Sequence, residues 1–445
     1  MVRTSKVSKK NDNDVVDEED RISNLPQLVI DHIISFLPMK DTMRTTILSR
    51  KWRDYLYFLP NLSFDDILDA HTFGEGGFDD FVDKTLRLRD KSNVNKLKLI
   101  ITKTSTCGRL NTWISYAVAH NVQKLNVGFD FFEREEDREI VAQMRLPHCL
   151  FTSKSLVKLK LCMPDHILKF PSNIQFPVLK TLALSEITFF DNHLTTKLFS
   201  SCPLLQNLKI DSCDVSRLNV LFISIPTLEK LCYYGDIPQE FTLNKLPSLS
   251  ELSLHFIRHG PTTPTRDYRA TKVLKAINNA SMLQFCSKYM ESLSAISNLS
   301  TCLPTSCPKL KHIRLSIRPT EKHMRVMVSL MKTCPCLKFL DISFDHNTTV
   351  NALNREGYWD AKELSAVVCM LNNLEKVCIY TFEASEVELD MVRVIIGNAH
   401  VLKKMVLNTM KKMCMSNPEK CLQICEKMLT FPRPSSCATI DVVTR

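Results

Sequence analysis

At 445 residues, 44% of them hydrophobic and 24% charged, the chain has the composition of a folded protein with a large core, built as several domains or as one elongated array. Seventeen cysteines are scattered along it and no charged-then-apolar leader opens it, which disfavours a secreted disulfide scaffold and predicts reduced thiols in a cytoplasmic and/or nuclear protein. No run of eighteen apolar residues occurs, so no membrane span is expected, and the net charge of +10 is a mild excess whose placement matters more than its size.

Residues 1–20 pass from basic (Lys6, Lys9, Lys10) to acidic (Asp12, Asp14, Asp17, Glu18, Glu19, Asp20) without apolar periodicity, the pattern of a disordered tail. From Arg21 to Asp66 the pattern becomes three short helices. In the first, Asn24 is placed to cap, Pro26 lies near the first turn, and Leu28, Val29, Ile33, Phe36 and Leu37 form a stripe ended by Pro38. Asp41 is placed to cap a second helix carrying Met43, Ile47 and Leu48. Ser49 is placed to cap a third, in which Trp52, Tyr55, Leu56 and Leu59 precede Pro60. A unit this small buries little apolar surface, so its exposed side chains call for cover by another protein.

Leu25-Pro26, the run from Ile33 to Pro38 and the run from Leu48 to Arg53 resemble an F-box. The segment Leu59 to Asp66 is similar to the stretch just after the F-box in plant members with leucine-rich repeats. The resemblance implies an F-box over 21–66 in which Leu25, Pro26, Ile33, Leu37, Leu48, Ser49 and Trp52 contact a Skp-type adaptor and, through it, a cullin. Trp52 would be the central anchor.

After an Asp- and Gly-rich linker (67–92), a template L-x-x-L-x-L repeats across 93–360 and beyond. Its first position falls at Val94, Val122, Leu156, Leu179, Leu205, Leu228, Leu249, Leu310, Leu337, Leu374 and Leu402, with a degenerate copy at Ala280. Pro177, Pro203, Pro226, Pro247, Pro308 and Pro335 each stand two residues ahead of a start, where proline can end a helix and lead into a strand. Positions four and six of each short strand point inward and positions three and five outward. Such repeats stack into a leucine-rich solenoid. The fold class is therefore mixed α/β: three helices, then a solenoid with a curved parallel sheet, then an atypical C-terminal cap.

Lys96, Lys98, Lys124, Lys158, Lys160, Lys209, Lys230, Arg314, Lys376 and Lys404 occupy the outward positions, against Glu251 and Asp341 as acids. That bias predicts an electropositive concave face holding an acidic or phosphorylated target protein, with Lys158, Lys160, Lys209, Lys230, Arg314, Lys376 and Lys404 as contacts. Solvated lysine filler explains the same bias without a ligand. A nucleic-acid-binding or other scaffold on this face is the alternative, and it lacks interleaved aromatic residues.

From 361 to 445 the chain resembles the FBD region of plant F-box proteins, carried by Asn373 to Val377 and Asn398 to Met405. Between these runs, Val387, Leu389, Met391, Val392, Val394, Ile395 and Ile396 form a helix-like segment suited to pack behind a strand pair.

No catalytic site is expected. Nine glycines make no phosphate loop or dinucleotide fingerprint, and Cys334-Pro335-Cys336 and Cys421/Cys425 lack the second pair that a zinc site needs. No metal and no cofactor are predicted. The family resemblance implies the substrate-recognition subunit of a Skp, cullin and F-box (SCF) ubiquitin ligase, with catalysis expected elsewhere in the complex.

Overall fold

The computed structural model describes residues 24–45, 50–69, 77–90, 92–130, 135–257, 271–346, 368, 371–409, 426–427, 430–432, 435 and 438–444. The tail over 1–20 lies outside these residues.

Three helices open the described chain, α1 (Gln27–Ser35), α2 (Met39–Arg44) and α3 (Arg50–Phe58). Proline starts the first two: Pro26 and Pro38 hold the N-cap positions and no side chain caps either helix. Asn24 and Asp41 are therefore not the expected caps, because the fixed φ of proline sets each helix start by itself. Asp41 instead sits in the first turn of α2 and pairs with Arg44.

The strands are β1 (Asn61–Asp65), β2 (Lys96–Ile101), β3 (Lys124–Phe129), β4 (Lys158–Ile167), β5 (Thr181–Thr188), β6 (Asn207–Asp211), β7 (Leu221–Ile223), β8 (Lys230–Gly235), β9 (Phe241–Leu243), β10 (Glu251–Phe256), β11 (Met282–Phe285), β12 (His312–Ile317), β13 (Phe339–Phe344), β14 (Lys376–Tyr380), β15 (Lys404–Thr409) and β16 (Thr439–Thr444). All but β7 and β9 join one fourteen-stranded sheet in chain order, and those two pair with each other. Every neighbouring pair is parallel, from β1 with β2 to β15 with β16.

The apolar template explains this register. All twelve expected starts are buried to 1% exposure or less, and each strand from β2 to β15 in the main sheet begins two residues after one of them. Positions four and six are buried in turn: Leu97 and Leu99 on β2, Leu208 and Ile210 on β6, Leu340 and Ile342 on β13. The backbone repeats as faithfully. The carbonyl of position two accepts from two successive N–H groups of the next repeat, as Gln123 does from Val157 and Lys158, and Glu229 from Ser250 and Glu251. The six prolines take the second place of a tight turn. Leu179, Leu205, Leu228, Leu249, Leu310 and Leu337 each donate an N–H to the carbonyl three residues back, and proline's φ is pre-set for the residue between.

Helices close the other side of the sheet, among them Cys107–Ala119, Asn192–Ser200, Ser287–Ser294 and Glu321–Lys332. The helix Glu386–Asn398 forms where the C-terminal apolar segment predicts one. It starts with a capping box between Ser385 and Glu388 and buries Leu389, Met391, Val392, Ile395 and Ile396.

Two segments differ from expectation. The 67–92 stretch holds a helix, Gly77–Leu88, that buries Phe78, Val82 and Leu86. Its acids are engaged: Arg109 pairs with Asp80 and Asp83, Thr106 donates to Asp79, and the Trp113 indole donates to Asp83 at 2.7 Å. The second difference is β1, which lies within the expected F-box range yet is the first strand of the sheet. Pro60 supplies the same doubly accepting carbonyl to Asn95 and Lys96 that each later repeat supplies to its successor.

Candidate functional site

Two surfaces carry the residues singled out by sequence. On α1, Ile30 and Ile34 lie one turn apart and are buried, while the opposite arc is apolar too and open: Leu28 82%, Val29 40%, Ile33 36% and Phe36 73% exposed. His32 stands edge-on to Phe36 with ring centroids 4.8 Å apart. Phe58, at the end of α3, is 55% exposed. Apolar side chains cover more of α1 than the single stripe a helix needs to face its core, so the part left bare marks a contact surface.

The predicted adaptor contacts divide. Pro26 and Ile33 are exposed, and Leu25 and Leu37 are half-buried, Leu25 against the main core. Leu48 and Ser49 lie outside the described residues. Trp52 is 2% exposed and belongs to the hydrophobic core of the chain itself. It supports the helical module from within, so the expectation that it is an open central anchor does not hold for this chain alone. Leu28 and Phe36 are the largest open side chains on the arc and were absent from the expected contact set. The helical period, setting 28, 32 and 36 opposite 30 and 34, is the signal that finds them.

On the open face of the sheet the expected lysines and arginine all sit at outward positions, but they do not make one uniform basic field. Lys98 pairs with Asp65 at 2.8 Å, Lys209 with Asp211 at 2.6 Å, Lys230 with Glu251 at 2.6 Å and Lys404 with Asp441 at 2.8 Å. Arg314 and His312 both donate to Asp341. Burial would raise the Asp341 carboxyl, yet the hydrogen bonds from His312 and Arg314 prevail and hold it below its ordinary value. Donating to Asp211 raises Lys209, and donating to Asp441 raises Lys404. Counting acids at positions three and five of the recognised repeats found Glu251 and Asp341 but missed the other three partners. Asp65 and Asp211 stand at position seven, and Asp441 on a strand the template did not flag.

The N-terminal part of the face behaves differently. Lys96, Lys124 and Lys158 are directly opposite one another on β2, β3 and β4, and Lys160 follows two residues on. Among the described residues none of these four is in ion-pair contact with a carboxylate. Lys160 is lowered from the ordinary lysine value, first by partial desolvation of its ammonium and then by the charges of Lys158, Lys209 and Lys96.

Three buried thiols are held in the protonated form by their surroundings. Burial pushes Cys202, Cys213 and Cys334 up to about 12. Cys336, two residues from buried Cys334, is exposed, and Cys421 and Cys425 lie outside the described residues.

Family models match three stretches. An F-box domain matches residues 22–61, the leucine-rich repeats of the FBD-associated F-box protein At5g56370 match residues 110–342, more than half of the chain, and FBD matches 362–407. Relatives in Arabidopsis thaliana include the probable FBD-associated F-box protein At1g32375, 27% identical over 406 residues covering 88% of this chain and 93% of that one. The FBD-associated F-box protein At5g56370 is 29% identical over 74% of this chain and 76% of its own, and the F-box/LRR-repeat protein At4g14096 is 33% identical over 50% and 46%. One solved structure, the yeast complex of Rad7 and Elc1, aligns over 74% of this chain and 95% of that chain at 14% identity and a TM-score of 0.27. On the strength of the repeat match in particular, the chain belongs to the FBD-associated F-box proteins with leucine-rich repeats.

Proposed function

We propose that this chain is the substrate-recognition subunit of an SCF ubiquitin ligase, acting in the cytoplasm and/or nucleus, with α1 docked on a Skp-type adaptor and the repeat array holding a target protein. The F-box and leucine-rich repeats imply such an adaptor role, and family members of this build are typically non-catalytic. The observation that carries the reading is the bare apolar arc of α1, Leu28, Val29, Ile33 and Phe36, opposite buried Ile30 and Ile34. In this mechanism the chain contributes geometry: holding the target near a charged conjugating enzyme raises the effective concentration of its lysines.

Capture of the full chain by an immobilised Skp-type adaptor tests it. Leu28→Glu with Phe36→Glu places two charges in the contact and is expected to abolish capture while thermal unfolding of the repeats stays unchanged. Capture at wild-type strength by that variant would show that α1 is not the docking element.

A further inference from the structure

The open face is not uniform in charge pairing, and its densest group of unpaired lysines points to a ligand class. From β12 to β16 Arg314 and His312 share Asp341 and Lys404 pairs with Asp441, and among the described residues only Lys376 of the outward cations there makes no ion pair. Over β2 to β4 Lys98 pairs with Asp65, but among the described residues Lys96, Lys124, Lys158 and Lys160 meet no carboxylate. Lys96 pairs in register with Lys124, and Lys124 with Lys158, so three ammonium stems rise from adjacent strands. Neighbouring strands lie about 4.8 Å apart and residues i and i+2 about 6.6 Å apart along a strand. The four lysines therefore occupy a patch roughly 10 Å by 7 Å. Two acids of this part of the sheet, Asp65 and Asp211, are held by Lys98 and Lys209, and Glu186 on β5 accepts from the Cys162 thiol.

Like charges directly opposite on adjacent strands repel and destabilise a sheet, and nothing in the packing requires lysine at outward positions. Lys160 reports that repulsion, being lowered by Lys158, Lys209 and Lys96 after its own desolvation. An anion laid across the row would relieve it.

We propose that Lys96, Lys124, Lys158 and Lys160 form a docking site for an acidic segment of the target protein, several negative charges within about 10 Å, lying across β2 to β4. An extended segment directs every second side chain to one face at a spacing of nearly 7 Å, and flexible lysine stems bridge the difference from the roughly 4.8 Å ladder. Carboxylates or a phosphate ester both supply the required charge. A single-stranded nucleic acid fits less well, because the outward positions around the row are Lys98, Asn126 and Cys162 and offer no aromatic face for a base to stack on. The proposal rests on the reading that the repeats hold the target, and it names where and by what chemistry.

The test is a fluorescence anisotropy titration of the full chain with three dye-labelled probes: a glutamate-rich peptide, the same peptide with one phosphoserine, and a single-stranded RNA of similar charge. Salt-sensitive peptide binding is expected, weakened at least about tenfold by Lys124→Glu with Lys160→Glu and less by the glutamine pair at the same positions. Lys230→Glu, which alters a lysine already paired to Glu251, is expected to change binding by no more than about twofold. Tighter binding of the phosphopeptide than of the glutamate peptide would identify phosphate as the preferred charge, and the reverse would identify carboxylate. Equal losses at Lys230 and at the row, salt-independent binding, or RNA binding more tightly than either peptide would overturn the proposal. Adaptor capture of the same variants separates the two readings: a chain that is captured but binds neither peptide rejects the acidic-segment site and leaves the adaptor role standing.

Discussion

The helical module and the repeat array solve the same problem, covering apolar surface, in opposite ways. In the array each strand hides its leucines against the next copy of itself, so the buried ladder from Leu97 to Leu407 needs nothing from outside. The module has three short helices and no repeating neighbour. It buries Ile30, Ile34, Met39 and Trp52 and leaves Leu28 and Phe36 in solvent. The difference teaches that, among the described residues, large exposed apolar side chains are densest where stacking is impossible: Leu28, Val29, Ile33, Phe36 and Phe58 fall within three short helices, where a partner would substitute for the missing next layer.

Trp52→Ala breaks the comparison most sharply. Removing a buried indole costs about 3–5 kcal/mol, more than so small a unit can spare. The module is expected to melt while the array, whose repeats interact only with neighbours, keeps its transition. Calorimetry showing one shared transition shifted as a whole would mean that module and array fold as one body. Next in size is Leu231→Ala on β8, 1% exposed between β6 and β10, expected to cost about 2–5 kcal/mol and to lower the array transition. Adaptor capture should survive that change at temperatures below the new midpoint, because the docking arc lies on α1. Loss of capture in the cold, well below that midpoint, would link the two regions.

Much of the array is legible from sequence because its signal is periodic. The starts at Val94 to Leu402 place every strand from β2 to β15 in the main sheet, including β11, whose degenerate Ala280 is fully buried. The ends are harder to read. Leu59, Leu62 and Phe64 fit the template and are all buried, but they sit within the F-box resemblance and were absorbed by it. At β16 cysteine takes the first position, in Cys437-x-x-Ile440-x-Val442, and conceals the repeat. The helix Gly77–Leu88 was hidden by its acids, which answer Arg109 on a helix that comes later in the chain. For the docking module the pattern gives which residues are apolar, yet which side another helix covers is a tertiary fact. That is why Trp52 turned inward while Phe36 did not. The salt bridges on the open face are illegible for a related reason. Lys98 meets Asp65 on β1, a strand absorbed into the F-box resemblance, whereas Arg314 and Asp341 meet at position five of successive repeats, a register the template gives but a side-chain contact it does not.

The smallest effect tests whether the array's independence extends to pH. His323, 3% exposed in the helix Glu321–Lys332, accepts the Arg318 N–H through Nδ1. It is lowered from 6.5 to about 4, first by burial and then by the Arg318 charge. The unfolded chain then binds a proton that the folded chain refuses between pH 6.5 and about 4. Stability is complete above that window and falls as the pH drops through it, by about 2 kcal/mol at about pH 5. His323→Gln cannot ionise, so the gap in urea midpoint between about pH 7.5 and about pH 5 is expected to narrow by that amount relative to the wild type. An unchanged gap would mean that the acid sensitivity of the array comes from other groups, such as the carboxylates Asp341 and Glu375 that His312, Arg314, Lys338 and Lys403 hold ionised. Those carboxylates begin to lose stabilisation only below about pH 4.5, where most of the histidine contribution is already spent, so the two sources separate on the pH axis.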